Sequence, residues 1–274
     1  MKVAIQGMAH SFHDIAARKH FGDHIETVFC STFRETCEML DAKQVDYAIM
    51  AIENSIAGCL LQNFFLLKDY KLRIAGEVYL HIQMNLMALP GTKIEDLKMV
   101  QSHPIAIRQC SQYLNTLGDM EVLEKKDTAG CAQEIADNKL ENVAAIANEA
   151  AANANGLEIL EKRIETNKQN FTRFFILSKE PVTIEATNKA TLSFQIGHKT
   201  GGLAEVLNTF SKYNINLSMI QSIPVIGSPN DYLFNIDLTW TDRANYDNSI
   251  FELLRKVVNL SILGEYKQAE RPII

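Results

Sequence analysis

LRIAGEVYLHIQMNLMAL, residues 72–89, is rich in strand-forming residues and much longer than the about five or six residues of an ordinary strand. One strand of that length would outrun a small sheet. Two strands in succession, one leaving a first α/β lobe and one opening a second, account for it, and the layout then requires a later segment to return. NFTRFFILSK, residues 170–179, suits the return crossing. In it an amide, a hydroxyl and a guanidinium interrupt an apolar run. Under period-two geometry Asn170, Thr172 and Phe174 share one face, while Phe171, Arg173 and Phe175 share the other. Polar groups beside aromatics on both faces suit a strand whose end opens into a polar pocket.

Outward from these segments the chain alternates. Strand patterns fall at residues 2–6, 25–30, 45–53, 99–102, 121–125, 142–148 and 157–160, and helical patterns at 11–21, 32–42, 104–117 and 128–138. Alternation implies open α/β sheets with parallel pairings. Two lobes joined by two crossings enclose a cleft, and helix N-termini at strand ends offer N–H groups to an anion. The layout is similar to that of type II periplasmic binding proteins, and by itself it suits transport, regulation or catalysis. Residues 181–190, PVTIEATNKA, are polar and contain Pro181, which places a linker between residues 1–180 and 191–274. The C-terminal part reads strand 191–198, helix 202–213, strands 215–225 and 231–240, helix 246–258 and strand 261–266. This is the βαββαβ order of a ferredoxin-like unit, with GSPND at 227–231 as its hairpin turn.

The 274 residues are 47% hydrophobic and 22% charged with a formal net charge of −6, a composition that supports a substantial core and disfavours nucleic acid or anionic membrane as partners. Cys30, Cys37, Cys59, Cys110 and Cys131 are odd in number and never spaced as C-x-x-C, so reduced thiols in the cytoplasm are expected. MKVAIQG reads as a strand and turn without the apolar core of a signal peptide. No window approaches the roughly 18 apolar residues of a membrane helix.

Four stretches carry candidate chemistry. AIENSIAG, residues 51–58, places Glu53, Asn54 and Ser55 at a strand end, where they either cap a helix or bond a ligand. SHPIAIRQC, from Ser102, has Pro104 in a first helical turn behind a capping Ser102 or His103. GMAHSFHDIAA, from Gly7, is a strand-to-helix turn offering His10, Ser11 and His13, without the three glycines of a dinucleotide fingerprint or the lysine of a P-loop. Its histidines, with His20 and His24, lack metal-ligand spacing, so no metal site is expected. In NFTRFF the Thr172 hydroxyl can donate to an oxygen leaving group, while Arg173 either forks onto a carboxylate or forms a structural salt bridge. No Ser-His-Asp or Cys-His set assembles from local sequence.

Together the glycine turn at Gly7 with Ser11 and Phe12, IENSIAG, SHPIAIRQC, DTAGCA from Asp127, AAIANEAAANANGLEIL and NFTRFF resemble the prephenate dehydratase family over nearly the whole chain. The C-terminal unit is similar to an ACT domain, the amino-acid-sensing module of that family. The resemblance implies decarboxylating dehydration of prephenate to phenylpyruvate with no metal or organic cofactor. Thr172 would assist departure of the ring hydroxyl, with Glu53, Asn54 and Ser55 as further catalytic candidates. Ser11, Phe12, Asn170, Arg173 and Phe174 would bind substrate, Arg173 ranking below Thr172 because its strand face is opposite. L-Phenylalanine would be the effector, held by Gly201, Gly202, Leu203, Ala204, Gln221 and Ser222 in a homodimer or homotetramer. Two motifs depart from the family. His10, Ser11, Phe12 and His13 stand where Gly-Thr-Phe-Ser is usual, and Gln221, Ser222, Ile223 and Pro224 where Glu-Ser-Arg-Pro is usual. Arogenate dehydration and noncatalytic amino-acid sensing are the alternatives.

Overall fold

A computed structural model of the chain describes residues 1–197, 199–225, 227–228 and 231–270. The chain opens with β1 (Lys2–Gln6), α1 (Phe12–Phe21), β2 (Glu26–Cys30), α2 (Phe33–Asp41), β3 (Tyr47–Asn54), β4 (Gly58–Cys59), α3 (Leu61–Asp69) and β5 (Arg73–His81). It continues through β6 (Asn85–Ala88), β7 (Met99–Ser102), α4 (Pro104–Gln109), α5 (Ser111–Leu114), β8 (Glu121–Glu124), α6 (Thr128–Asn138), β9 (Val143–Ala147), α7 (Glu149–Ala154), β10 (Glu158–Glu161) and β11 (Phe171–Ser178). The remainder is β12 (Lys189–Gln195), α8 (Gly202–Lys212), β13 (Asn216–Pro224), β14 (Tyr232–Thr239), α9 (Arg243–Leu253) and β15 (Val258–Tyr266).

Among the described residues three sheets form, ordered β2-β1-β3-β11-β5 with β4 on β3, then β10-β6-β9-β7-β8, then β13-β14-β12-β15. Residues 72–89 do split into β5 and β6 in different sheets, and β11 returns to the first sheet, giving the expected two-lobed α/β fold. The parallel pairs β1–β2, β1–β3, β7–β8 and β7–β9 put strand C-termini and helix N-termini at the same ends. Caps fix those helix starts. The side chains of Ser11, Thr32, Asp127 and Asn148 accept from the backbone N–H of Asp14, Glu35, Gly130 and Ala151, each worth about 1 kcal/mol. Val3, Ala4 and Ile5 of β1, with Ile49, Met50 and Ile52 of β3, are buried in the first lobe. Met87, Ala145 and Ala147 pack against Ala132 and Ile135 in the second.

Several boundaries differ from the sequence reading. The helix expected over 104–117 is broken at Cys110, whose φ of −103° and ψ of 8° leave helical geometry while its side chain is fully buried. The helix expected over 246–258 runs instead from Arg243 to Leu253, because the Asp242 cap starts it three residues earlier and Val258 begins β15. Helices α3 and α7 were not expected. β12 begins at Lys189, so the last two residues of the expected linker are strand. Pro229 and Asn230 of the expected hairpin turn lie outside the described residues.

By compactness the described chain divides into one unit of residues 1–60 and 78–174 and a second of Leu61–Glu77 and Phe175–Glu270. Within the second, Lys189 is 1% exposed and its Nζ donates to both oxygens of the fully buried Glu77 at 3.0 and 2.8 Å, with Asp237 Oδ2 at 3.8 Å. Asp237 Oδ1 accepts from Thr191 Oγ1 at 2.7 Å, and that hydroxyl also bonds Tyr266 at 2.6 Å. Two buried carboxylates thus share a buried ammonium, and Ala269 N also donates to Glu77 Oε1 at 3.1 Å. Removing the ammonium strips a buried cation from both carboxylates, so Lys189→Ala should destabilise the protein by about 3–5 kcal/mol, read as a drop in the urea midpoint.

Candidate active site

A cleft of about 440 Å³ lies within the first unit. Ser11, Phe12, His13 and Asn54 line it from the first lobe; His103, Gln109, Asp127 and Thr128 do so from the second. Ile82, Met84, Thr172 and Phe174 line it from the two crossings. The lobes are tied at one side by Asn148 Nδ2, which donates to His10 O at 2.7 Å. The Gly7 turn is tight: at φ +107° a Cβ there would meet Ser11 Oγ and Asp127 Oδ2 at 3.3 Å.

Asn54 organises the polar end. Its Oδ1 accepts from the backbone N–H of Ile56 at 3.0 Å and Ala57 at 2.8 Å, which fixes the amide orientation. Its Nδ2 therefore faces β11 and donates to Thr172 Oγ1 at 2.9 Å and Asn170 Oδ1 at 2.8 Å. Asn170 Nδ2 passes the chain on to Gln109 Oε1 at 2.9 Å. Because Thr172 Oγ1 already accepts from Asn54, its own O–H is left to donate elsewhere, and the cleft is the space before it. Gln109 was not singled out from sequence, although it sits inside SHPIAIRQC.

Of the other expected site residues, Ser11, Phe12 and Phe174 line the cleft with Thr172, while Asn170 is fully buried behind it. Glu53, Ser55 and Arg173 are not among the lining residues. Glu53 Oε2 lies 3.7 Å from Arg173 Nη1, and Arg173 is 2% exposed, so this guanidinium takes the structural salt bridge. Ser55 Oγ donates to Gln169 O at 2.8 Å and accepts from Phe171 N at 2.9 Å, pinning the start of β11. Phe171 stacks on His81 at 4.7 Å. In the second unit Gly201 adopts φ 81° ahead of α8, which begins with Gly202, Leu203 and Ala204. Gln221 and Ser222 lie on β13, an edge strand, paired with Asn235 and Phe234. Among the described residues no cluster of three or more His, Cys, Asp or Glu suits a metal.

Burial dominates the electrostatics of the two histidines that line the cleft. Burial pushes the His13 imidazole down to about 4; its Nε2 is shielded and has no hydrogen-bond partner among the described residues, and the ring packs edge-on to Phe174 at 5.1 Å and tilted against Phe33 at 5.3 Å. Burial likewise lowers His103, with Asp127 opposing that shift, and the His103 Nδ1 accepts from Ile105 N at 3.2 Å.

Two outcomes follow. An unfolded histidine titrates near 6.5, so the unfolded chain takes up a proton that folded His13 refuses between pH 6.5 and about 4. Stability should be unaffected by this group above pH 6.5 and fall by roughly 3 kcal/mol as pH drops through that window. Urea melts across the window should show a shallower fall in His13→Gln. Asn54→Asp keeps the acceptor for Ile56 and Ala57 but sets a carboxylate against the acceptor Asn170 Oδ1 and draws the Thr172 O–H onto itself, away from the cleft. It should cost about 1–3 kcal/mol, again measured by urea unfolding.

The family model for prephenate dehydratase matches residues 3–182. Arogenate dehydratase/prephenate dehydratase 1, a chloroplastic protein of Arabidopsis thaliana, is 37% identical over 86% of this chain and 64% of its own length, so the chain spans less than two thirds of that relative. Among solved structures, a prephenate dehydratase from Arthrobacter aurescens in complex with L-Phe aligns with a TM-score of 0.87 and 26% identity, covering 100% of this chain and 92% of that one. GqqA, described as a novel type of quorum quenching acylase, aligns with a TM-score of 0.85 and 27% identity over 98% of both chains. The shared fold thus hosts differently described activities, and the affiliation rests on the matched sequence. With that match running from β1 through the whole of β11 and including every residue of the Asn54–Thr172 cleft, the chain belongs to the prephenate dehydratase family.

Proposed function

We propose that the cleft binds prephenate and catalyses its decarboxylating dehydration to phenylpyruvate. The observation that carries this reading is the Thr172 hydroxyl, oriented by Asn54 so that its proton is available at the cleft wall. Prephenate loses its ring carboxylate as carbon dioxide; the freed electron pair enters the ring, and the ring hydroxyl departs with its bonding electrons. Aromatisation drives the step. A hydroxyl is too weak an acid to transfer its proton early, so Thr172 acts by a hydrogen bond that strengthens as the leaving oxygen gains charge. The apolar wall of Ile82, Met84, Ile105 and Ala106 holds water away from a carboxylate that is shedding its charge. Asn54 positions Thr172, Ser11 and Phe12 shape the substrate wall, and Glu53, Arg173, Ser55 and Asn170 hold β3 and β11 in place. The chemistry asks for no metal or organic cofactor.

We assign residues 1–180 to catalysis, 181–190 to the linker and 191–274 to an ACT regulatory domain that binds L-phenylalanine near Gly201–Ala204 and Gln221–Ser222. The βαββαβ order and the L-Phe complex of the Arthrobacter relative support this reading. Inhibition requires L-phenylalanine to bind better to a less active state, since equal affinities shift nothing. The edge strand β13 suits pairing between copies in a homodimer or homotetramer. Five free cysteines, four of them buried, suit the reducing cytoplasm. Arogenate is the second substrate to try, since the Arabidopsis relative is named for both acids.

Phenylpyruvate formation from prephenate tests the assignment. Thr172→Val should lower kcat by about 10²–10³ while Thr172→Ser retains most turnover, and urea midpoints should stay near that of the parent because Asn54 Nδ2 keeps Asn170 Oδ1 as acceptor. Turnover in Thr172→Val equal to the parent would sink the role. Added L-phenylalanine should depress the rate; indifference would remove the regulatory assignment and leave the catalytic one.

A further inference from the structure

A dianion in this cleft needs compensating charge, and the guanidinium that the sequence offers is already engaged. Arg173 is buried against Glu53 and is not a lining residue. His13 is held neutral by burial, and His103 uses Nδ1 to accept from Ile105 N. One permanent cation remains among the described lining residues, Lys126. It is exposed, immediately precedes Asp127 at the start of α6, and makes no hydrogen bond or ion pair with a described residue. Its neighbour Lys125 behaves otherwise, held by Glu134 Oε1 at 2.9 Å. Lys126 also borders an adjoining cavity of about 1090 Å³, so the residue lies where the two spaces meet. The nearest competing anion in the sequence, Asp127, directs Oδ1 to Gly130 N at 2.8 Å.

We propose that Lys126 is the anion clamp of the cleft: its ammonium receives a substrate carboxylate at the mouth while Thr172 addresses the leaving hydroxyl. The proposal rests on the prephenate reading above and extends it to substrate choice. Prephenate carries two negative charges, whereas arogenate adds an ammonium and carries a net one. A permanent cation at the mouth therefore favours prephenate over arogenate. A flexible, exposed lysine gives a clamp that ionic strength weakens.

The test uses the full chain with Lys126→Gln and Lys126→Arg. Lys126→Gln should raise KM for prephenate about tenfold or more with kcat little changed, as expected for losing a charge-assisted bond outside the bond-breaking step. Lys126→Arg should recover most of the loss. Raising salt should raise the parental KM and affect Lys126→Gln less, and kcat/KM for arogenate should fall less than that for prephenate. An unchanged KM in Lys126→Gln, or a loss that arginine does not recover, would overturn the clamp. Calorimetric titration of prephenate into Thr172→Val, with and without Lys126→Gln, reads the same step without turnover and should show a matching rise in Kd. If prephenate is bound and turned over by the parent yet Lys126→Gln matches it in both measurements, the clamp alone falls. If the parent neither binds nor converts prephenate, the substrate reading falls and takes the clamp with it.

Discussion

The amide of Asn54 is the constraint on which the cleft depends. One side chain closes the turn after β3 through two N–H groups and binds β11 through Asn170 and Thr172. Neither function can be given up separately, because the oxygen's two bonds determine where the nitrogen points. The Glu53–Arg173 pair, Ser55 and the Phe171–His81 stack all act on the same junction of β3, β5 and β11. Together they hold a threonine hydroxyl still in a pocket with few charges, where a single hydrogen bond is strengthened by the low local dielectric.

Much of this was legible in the sequence, for reasons that can be named. Strand alternation alone put Thr172 and Phe174 on the same face of β11 and Arg173 on the other, and the lining of the cleft agrees. The same alternation separates Glu53 from Asn54 on β3, although the adjacency of three polar residues in IENS invited reading them as one group. Treating the motif as a list instead of a strand concealed that Glu53 belongs with Arg173. The crossing at residues 72–89 was visible because no ordinary strand has that length.

Other features were hidden by tertiary effects. Helix α3, LQNFFLLKD, has apolar residues on several sides and buries Asn63, Phe64 and Leu67, so no clear helical stripe marks it. The break at Cys110 leaves the apolar spacing of residues 104–117 undisturbed, since the side chain at the break is itself buried. Lys189 reads as a polar linker residue and is instead the centre of a buried ion network, because its partner Glu77 lies far away in sequence, on β5. Pairings of this kind leave no local periodicity to read.

The same region sets a limit on how the chain can be rearranged. A Cβ placed on Gly264 of β15 would fall 2.1 Å from the carbonyl oxygen of Ile74 on β5. The two backbones touch there with no room for any side chain. Residues 61–77 and 175–270 are therefore fitted to each other at main-chain level, and the C-terminal sheet is not a cassette that recombination could exchange between relatives by cutting only near residue 185. A transplant would have to carry α3 and the first half of β5 with it, two segments from opposite sides of the sequence moving as one inheritance unit.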